Sequence, residues 1–180
     1  MLGCGLPYAN KTKLSESELD WFPYEVGNTV LFTCGASIDT MIITETNINN
    51  PRNTFIFDTE GIDWIEGNHE YKGNASCKYK LFHNGTCYEG ILFVLTKECA
   101  NTPAYISISF AGNYSKAIST DSTFTYTSDK LKCISFDTSE LHRGTHQKVL
   151  DIRKIIWSKD YGLLEYFTNS DSIFTYDKSI

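Results

Sequence analysis

Three groups of residues in this chain have types and spacings that could do chemistry. His142 and His146 stand four apart, the interval that puts two metal ligands on one helix face. Gly144 lies between them and the glutamate of an H-E-x-x-H zinc site is missing, so the pair reads as surface histidines on a turn. Asp58, Glu60, Asp63, Glu66 and Glu70 crowd one short stretch and could hold calcium. The EF-hand order fails there, because Gly61 comes too early, and the stretch reads as a solvated acidic loop. The third group is the six cysteines: Cys4, Cys34, Cys77, Cys87, Cys99 and Cys133. None has the paired short spacing of a zinc knuckle or a redox C-x-x-C. Most are expected to be small apolar side chains, with one or two disulfides as the alternative.

Cys4 differs from the other five because Gly3 precedes it near the N-terminus. A small residue followed by cysteine is the acceptor arrangement for bacterial lipid attachment. The charged start and the apolar run of about 7–15 residues that an export signal needs do not precede it. The expectation is lipidation of Cys4 in a longer precursor, with residues 1–13 as signal remnant, lipid site and tether. Residues 14–180 then form a single domain, in keeping with the chain's 180 residues.

Catalytic motifs of other kinds are missing from the sequence: it has no G-x-S-x-G elbow, P-loop or dinucleotide-binding glycine run. No catalytic residue, metal site or cofactor is therefore predicted. The glycosylation-acceptor matches at Asn74, Asn84 and Asn113 are expected to be chance if the chain is a bacterial lipoprotein. A net charge of −6 and no basic stripe argue against nucleic-acid binding. No apolar run reaches the roughly 18 residues of a membrane-spanning helix, so the predicted membrane contact is the lipid alone.

Turn chemistry recurs along the chain and implies short strands. Aromatics make up 14% of the residues, with 11 Tyr and 11 Phe, and they favour strands. Ser15 to Glu18 can cap one helical turn leading to Leu19, Trp21 and Phe22. Residues 29–34 and 40–46 read as strands around a loop at Gly35–Asp39, and residues 54–57 as another. The clearest signal is Asn84-Gly85 between residues 77–82 and 87–95, which suits a type I′ hairpin turn. That turn pairs His83 with Thr86, Phe82 with Cys87 and Lys80 with Glu89, and puts Tyr79, Leu81, Tyr88, Leu92 and Val94 on one face. Further strands are read at 104–110, 123–127, 131–136, 148–157, 163–167 and 173–176, with a helical turn at 137–144. The fold class that follows is all-β, an antiparallel meander of about ten strands. It closes as a barrel (lipocalin-like) or, alternatively, packs as a β-sandwich.

Two segments carry a family resemblance. Asp20-Trp21-Phe22-Pro23-Tyr24-Glu25-Val26-Gly27, running into the strand to Phe32, resembles the start of small β-rich cell-envelope lipoproteins of the Bacteroidetes. Ile155-Ile156-Trp157-Ser158-Lys159-Asp160-Tyr161-Gly162-Leu163-Leu164-Glu165-Tyr166 is similar to their closing hairpin. Asn169-Ser170-Asp171 stands where that group often has Asp-Gly. The resemblance implies a β fold and an outer-membrane lipoprotein, and it names no activity. No early acidic run follows Cys4, which points to the periplasmic face. The functional expectation is an envelope protein that binds a small ligand or a partner protein. A glycan-directed hydrolase and a purely structural component are the alternatives. Trp64 and Tyr71, flanking the acidic loop, are the expected ligand-site rim, since loops between strands commonly carry binding function.

Overall fold

Turns punctuate the chain, and strands run between them. A computed structural model describes residues 11–50, 71–126, 130–144 and 149–177, with backbone alone at Lys11 and Tyr71. Cys4, the strand at 54–57, the acidic loop with Trp64, and His146 lie outside the described residues. Within the expected tether, β1 (Lys11–Thr12) already pairs with β4 (Tyr71–Lys72). The helical turn α1 (Glu16–Leu19) follows. Ser15 accepts from the N–H of Glu18, whose carboxylate accepts from the N–H of Ser15, completing a capping box. Burial acts to raise the Glu18 pKa, but hydrogen bonds from Lys97 and Ser15 outweigh it and hold the carboxyl below its usual value.

β2 (Thr29–Cys34) and β3 (Ser37–Asn49) form the first hairpin. Cys34 pairs with Ser37, so the loop is only Gly35-Ala36, with Gly35 at φ +59°. The loop is shorter than the sequence suggests, and Asp39 belongs to the strand. β5 (Asn74–His83) and β6 (Thr86–Thr96) turn at Asn84-Gly85, whose φ angles are 46° and 71°. His83 faces Thr86, Phe82 faces Cys87, and Lys80 faces Glu89 at 3.7 Å, the predicted register. A side chain at Gly85 meets nothing within 4 Å, so a substitution there acts through the backbone alone. Gly85→Val should cost about 1–2 kcal/mol, the strain of a left-handed L-residue. Urea unfolding would show it as a lower midpoint at unchanged slope; an unchanged midpoint would contradict this turn.

Both ladders on β5 slip beside Lys78. Thr44 is the extra residue on β3 and Leu92 the extra residue on β6. Such bulges bend a strand and reverse the side-chain alternation beyond them. Leu92, Phe93 and Leu95 are all fully buried, while Val94 turns outward and is half-buried. Val94 therefore leaves the face it was assigned, and the cause is the bulge.

The remaining strands are β7 (Tyr105–Phe110), β8 (Asn113–Ser115), β9 (Ile118–Ser119), β10 (Phe124–Tyr126) and β11 (Leu131–Asp137). After them come β12 (Leu141–Arg143), β13 (Ile152–Ser158), β14 (Gly162–Thr168) and β15 (Ile173–Tyr176). One sheet runs β10-β11-β13-β14-β15-β2-β3-β5-β6-β7-β8-β12, with β9 also beside β7. Its pairings are antiparallel throughout, and the fold is all-β. Two meanders make it, joined where β15 pairs with β2.

The sheet curls in barrel fashion around a main core, and a second, smaller apolar cluster joins Leu131, Cys133, Ile156 and Leu164. Phe93 of β6 stacks on Trp157 of β13 at 4.4 Å, and Phe110 of β7 meets Tyr166 of β14 at 5.1 Å. These rings, with Phe32 and Phe136, fill the interior where a lipocalin-like calyx would be hollow. The chain between β11 and β13 clasps the far edge. β12 pairs with β8, Gly144 donates to the carbonyl of Gly112, and Leu150 donates to that of Ala111. The amide of Asn113 donates to the Leu150 carbonyl at 2.7 Å. The clasp replaces the helical turn expected at 137–144, of which only the turn from Asp137 to Glu140 forms. An open strand edge offers these backbone groups more partners than one helical turn would.

The two ends of the curled sheet differ. Trp21, Phe22 and Tyr24 plug the lower end and are all buried. The indole of Trp157 donates to the Trp21 carbonyl at 3.2 Å, and the N–H of Leu163 donates to the Tyr24 hydroxyl at 2.9 Å. Antiparallel order sends the β2–β3, β5–β6 and β14–β15 turns to the upper end.

Candidate functional site

The upper end holds a buried polar chain. On β3 the inward positions are Asp39, Met41 and Ile43, each almost fully buried. Thr40 pairs with Phe82, so continuing that register places Asp39 opposite His83. His83 Nδ1 lies 2.6 Å from Asp39 Oδ2, and the hydroxyl of Tyr166, from β14, donates to the same oxygen. Burial, and next the Asp39 carboxylate itself, push the Tyr166 phenol far above its ordinary pKa. The phenol therefore stays protonated and donates.

The carboxylate can only accept, so His83 Nδ1 donates to it, and the ring's other nitrogen is Nε2. That nitrogen is 3.0 Å from Asn84 Nδ2, which donates to it. Phe174 backs the assembly, stacked on Tyr166 at 4.8 Å and set edgewise to His83 at 5.4 Å.

Above this chain opens a cleft of about 310 Å³. The β5–β6 turn contributes His83 and Asn84; the β2–β3 turn contributes Cys34 and Ser37. Thr168, Asn169, Ser170 and Ser172 come from the β14–β15 turn, Leu150 and Asp151 from the clasp. The three hydroxyls of the β14–β15 turn run in a chain, Thr168 to Ser170 at 2.8 Å and Ser170 to Ser172 at 3.5 Å. Arg143 holds the Asp151 carboxylate at 3.2 Å. A broader, shallower depression of about 630 Å³ lies beside α1 at the lower end, between Leu19, Phe22 and Ile48. Lys159 there already pairs with Asp20. The chain of buried polar groups leads to the upper cleft.

An imidazole oriented by a buried carboxylate can accept a ligand's hydrogen bond or take a proton. Glycoside hydrolysis needs two facing carboxyl groups. Asp151 is the one carboxylate in the described wall, since Asp39 lies enclosed behind His83 and Tyr166. Among the described residues no group of three His, Cys, Asp or Glu could hold a metal ion. His142 sits in β12 with its ring 5.6 Å from Tyr114.

Of the two residues expected at a ligand-site rim, Trp64 lies outside the described residues. Tyr71, in β4, precedes β5 at the lower end, whereas His83 closes β5 at the upper. Cys34, Cys77, Cys87 and Cys99 carry free thiols, and burial pushes that of Cys77 up to about 12. Asp39, His83 and Tyr166 were missed. The available signal was an acid in step with Met41 and Ile43, hidden by assigning Asp39 to a loop.

Fold and site together define an all-β, barrel-like protein, plugged at one end and carrying a polar cleft at the other. No known protein family, curated protein or solved structure matches the chain. Among the described residues, no helix is long and apolar enough to cross a membrane.

Proposed function

We propose that this protein is a lipid-anchored module of the bacterial cell envelope that binds a small ligand in its upper cleft. The observation that carries the reading is the Tyr166–Asp39–His83 chain. A carboxylate withdrawn from water is costly and is kept only where its bonds matter. Here it aims one imidazole nitrogen into an open cleft rather than filling a core position. The Gly3-Cys4 junction supports attachment through lipid, and the lack of an early acidic run after Cys4 supports the periplasmic face of the outer membrane. In the host, labelled fatty acid should enter the wild type and not Cys4→Ala; equal labelling of both would end the anchor reading.

Cys34 reports on the cleft, since it lines the wall while Cys77 and Cys133 are buried. With Cys4, Cys87 and Cys99 changed to Ser, iodoacetamide should alkylate Cys34. A panel of sugars, nucleosides, amino acids and fatty acids should contain a compound that slows it. No protection by any compound would refute the cleft as a ligand site. A hydrolase is the second reading, favoured by one observation: His83, held by Asp39, shares the cleft with Ser37 and Cys34. Labelling of Ser37 by a fluorophosphonate, or rapid alkylation of Cys34, lost in either case in His83→Gln, would favour it.

A further inference from the structure

We infer that the upper cleft takes a neutral, polyhydroxylated ring, a single sugar or cyclic polyol, with a ligand hydroxyl donating to His83 Nε2. The inference rests on the ligand-binding reading above and specifies the chemistry of that site. Ser37, Thr168, Ser170 and Ser172 offer hydroxyls, which both donate and accept. Their natural complement is a ligand whose own polar groups do both, and that is a set of hydroxyls. Asn84 and His83 place a donor and an acceptor side by side at 3.0 Å. Two neighbouring hydroxyls can replace that internal contact, one giving to Nε2 and the other receiving from the amide.

The competing classes meet a mismatch in the same wall. No Lys or Arg is among the described residues lining the cleft, so these residues offer an anion no counter-charge. A cation would find Asp151 already held by Arg143, and Asp39 enclosed by Tyr166 and His83. An apolar ligand would strip water from the hydroxyls and return no hydrogen bonds. A volume of about 310 Å³ is at the small end of ligand sites and suits one ring rather than a chain of them.

The test follows the His83 ring-proton resonance by NMR, assigned by its loss in His83→Gln. The probes are glucose, galactose, fucose and myo-inositol as neutral rings, galacturonate as the anion and glucosamine as the cation. At least one neutral ring should shift the resonance saturably, and that ring should slow Cys34 alkylation. Its affinity should fall by about tenfold in His83→Gln, the usual worth of one hydrogen bond. Asn84→Gly, exposed and compatible with the turn, should weaken it in the same direction and guards against a folding defect in the first variant. Galacturonate should bind less well than galactose, and glucosamine less well than glucose.

Tighter binding of either charged sugar than of its neutral parent would overturn the inference. So would neutral-ring binding untouched in both variants, or no neutral-ring binding at all. If another compound class protects Cys34 while the neutral rings fail, the ligand site stands and its assigned chemistry falls. If nothing protects Cys34, both fall.

Discussion

Trp157→Ala should destabilise the protein by about 3–5 kcal/mol, the range for deleting a large buried ring. Trp157 is fully buried, stacked on Phe93 at 4.4 Å and set edgewise to Tyr24 at 5.7 Å. Its indole N–H is bonded to the Trp21 carbonyl, so one side chain ties β13, β6 and the N-terminal plug together. The alanine would open a cavity at that junction and leave the carbonyl unpaired. Trp157→Phe keeps most of the stack and should cost clearly less. Urea unfolding followed by circular dichroism measures both. A loss for Trp157→Ala below about 1 kcal/mol, the size of an ordinary surface-to-average substitution, would mean that the stack does not organise the core.

Alkaline pH should unfold the protein cooperatively. Burial is the leading cause that raises the pKa of four groups: Tyr24, Tyr79, Tyr166 and the thiol of Cys77. The fold favours their protonated forms. An unfolded chain releases these protons from near the ordinary values of 9.0 for the thiol and 10.0 for the phenols. Stability from these groups is thus fully present below about pH 9 and falls as pH rises beyond it. Each contributes a slope of up to about 1.4 kcal/mol per pH unit, so the four together approach about 5 kcal/mol per unit. Melting temperature should be flat from pH 7 to 9 and drop steeply by pH 11. Tyr24→Phe should make the drop shallower, although it sacrifices the bond from the N–H of Leu163. A flat profile to pH 11 would contradict the burial of these groups.

Local chemistry made parts of this fold readable. Asn84-Gly85 dictates its own turn, and once the turn is set the pairing of Lys80 with Glu89 follows by counting. Ser15 and Glu18 likewise need only each other. What stayed hidden depends on distant partners. A bulge at Leu92 inserts one residue, and no alternation rule foresees the reversal that puts Phe93 inward and Val94 outward. The clasp at 141–143 forms because β8 leaves an edge open, and β8 is itself known only through the sheet. Asp39 looked like turn chemistry because aspartate usually is. Its burial makes sense only with His83 opposite and Tyr166, from β14, reaching the same oxygen.

The segments at 20–27 and 155–166, far apart in the sequence, touch in the fold. Trp21 meets Trp157, and Tyr24 packs so close to Gly162 that a Cβ there would stand 2.5 Å from its ring. With φ at +75° as well, position 162 has room only for glycine. The two segments are halves of one packing contact.

The plug and the cleft stand at opposite poles, and the N-terminal segment reaches the barrel at the plugged pole. β5 alone, ten residues long, separates the poles by about 30 Å at the usual rise per residue. A chain held by its N-terminus would therefore turn its plugged base toward the bilayer and its open mouth toward the aqueous space. Under the proposed anchor at Cys4, attachment and ligand capture would then use opposite poles of the protein.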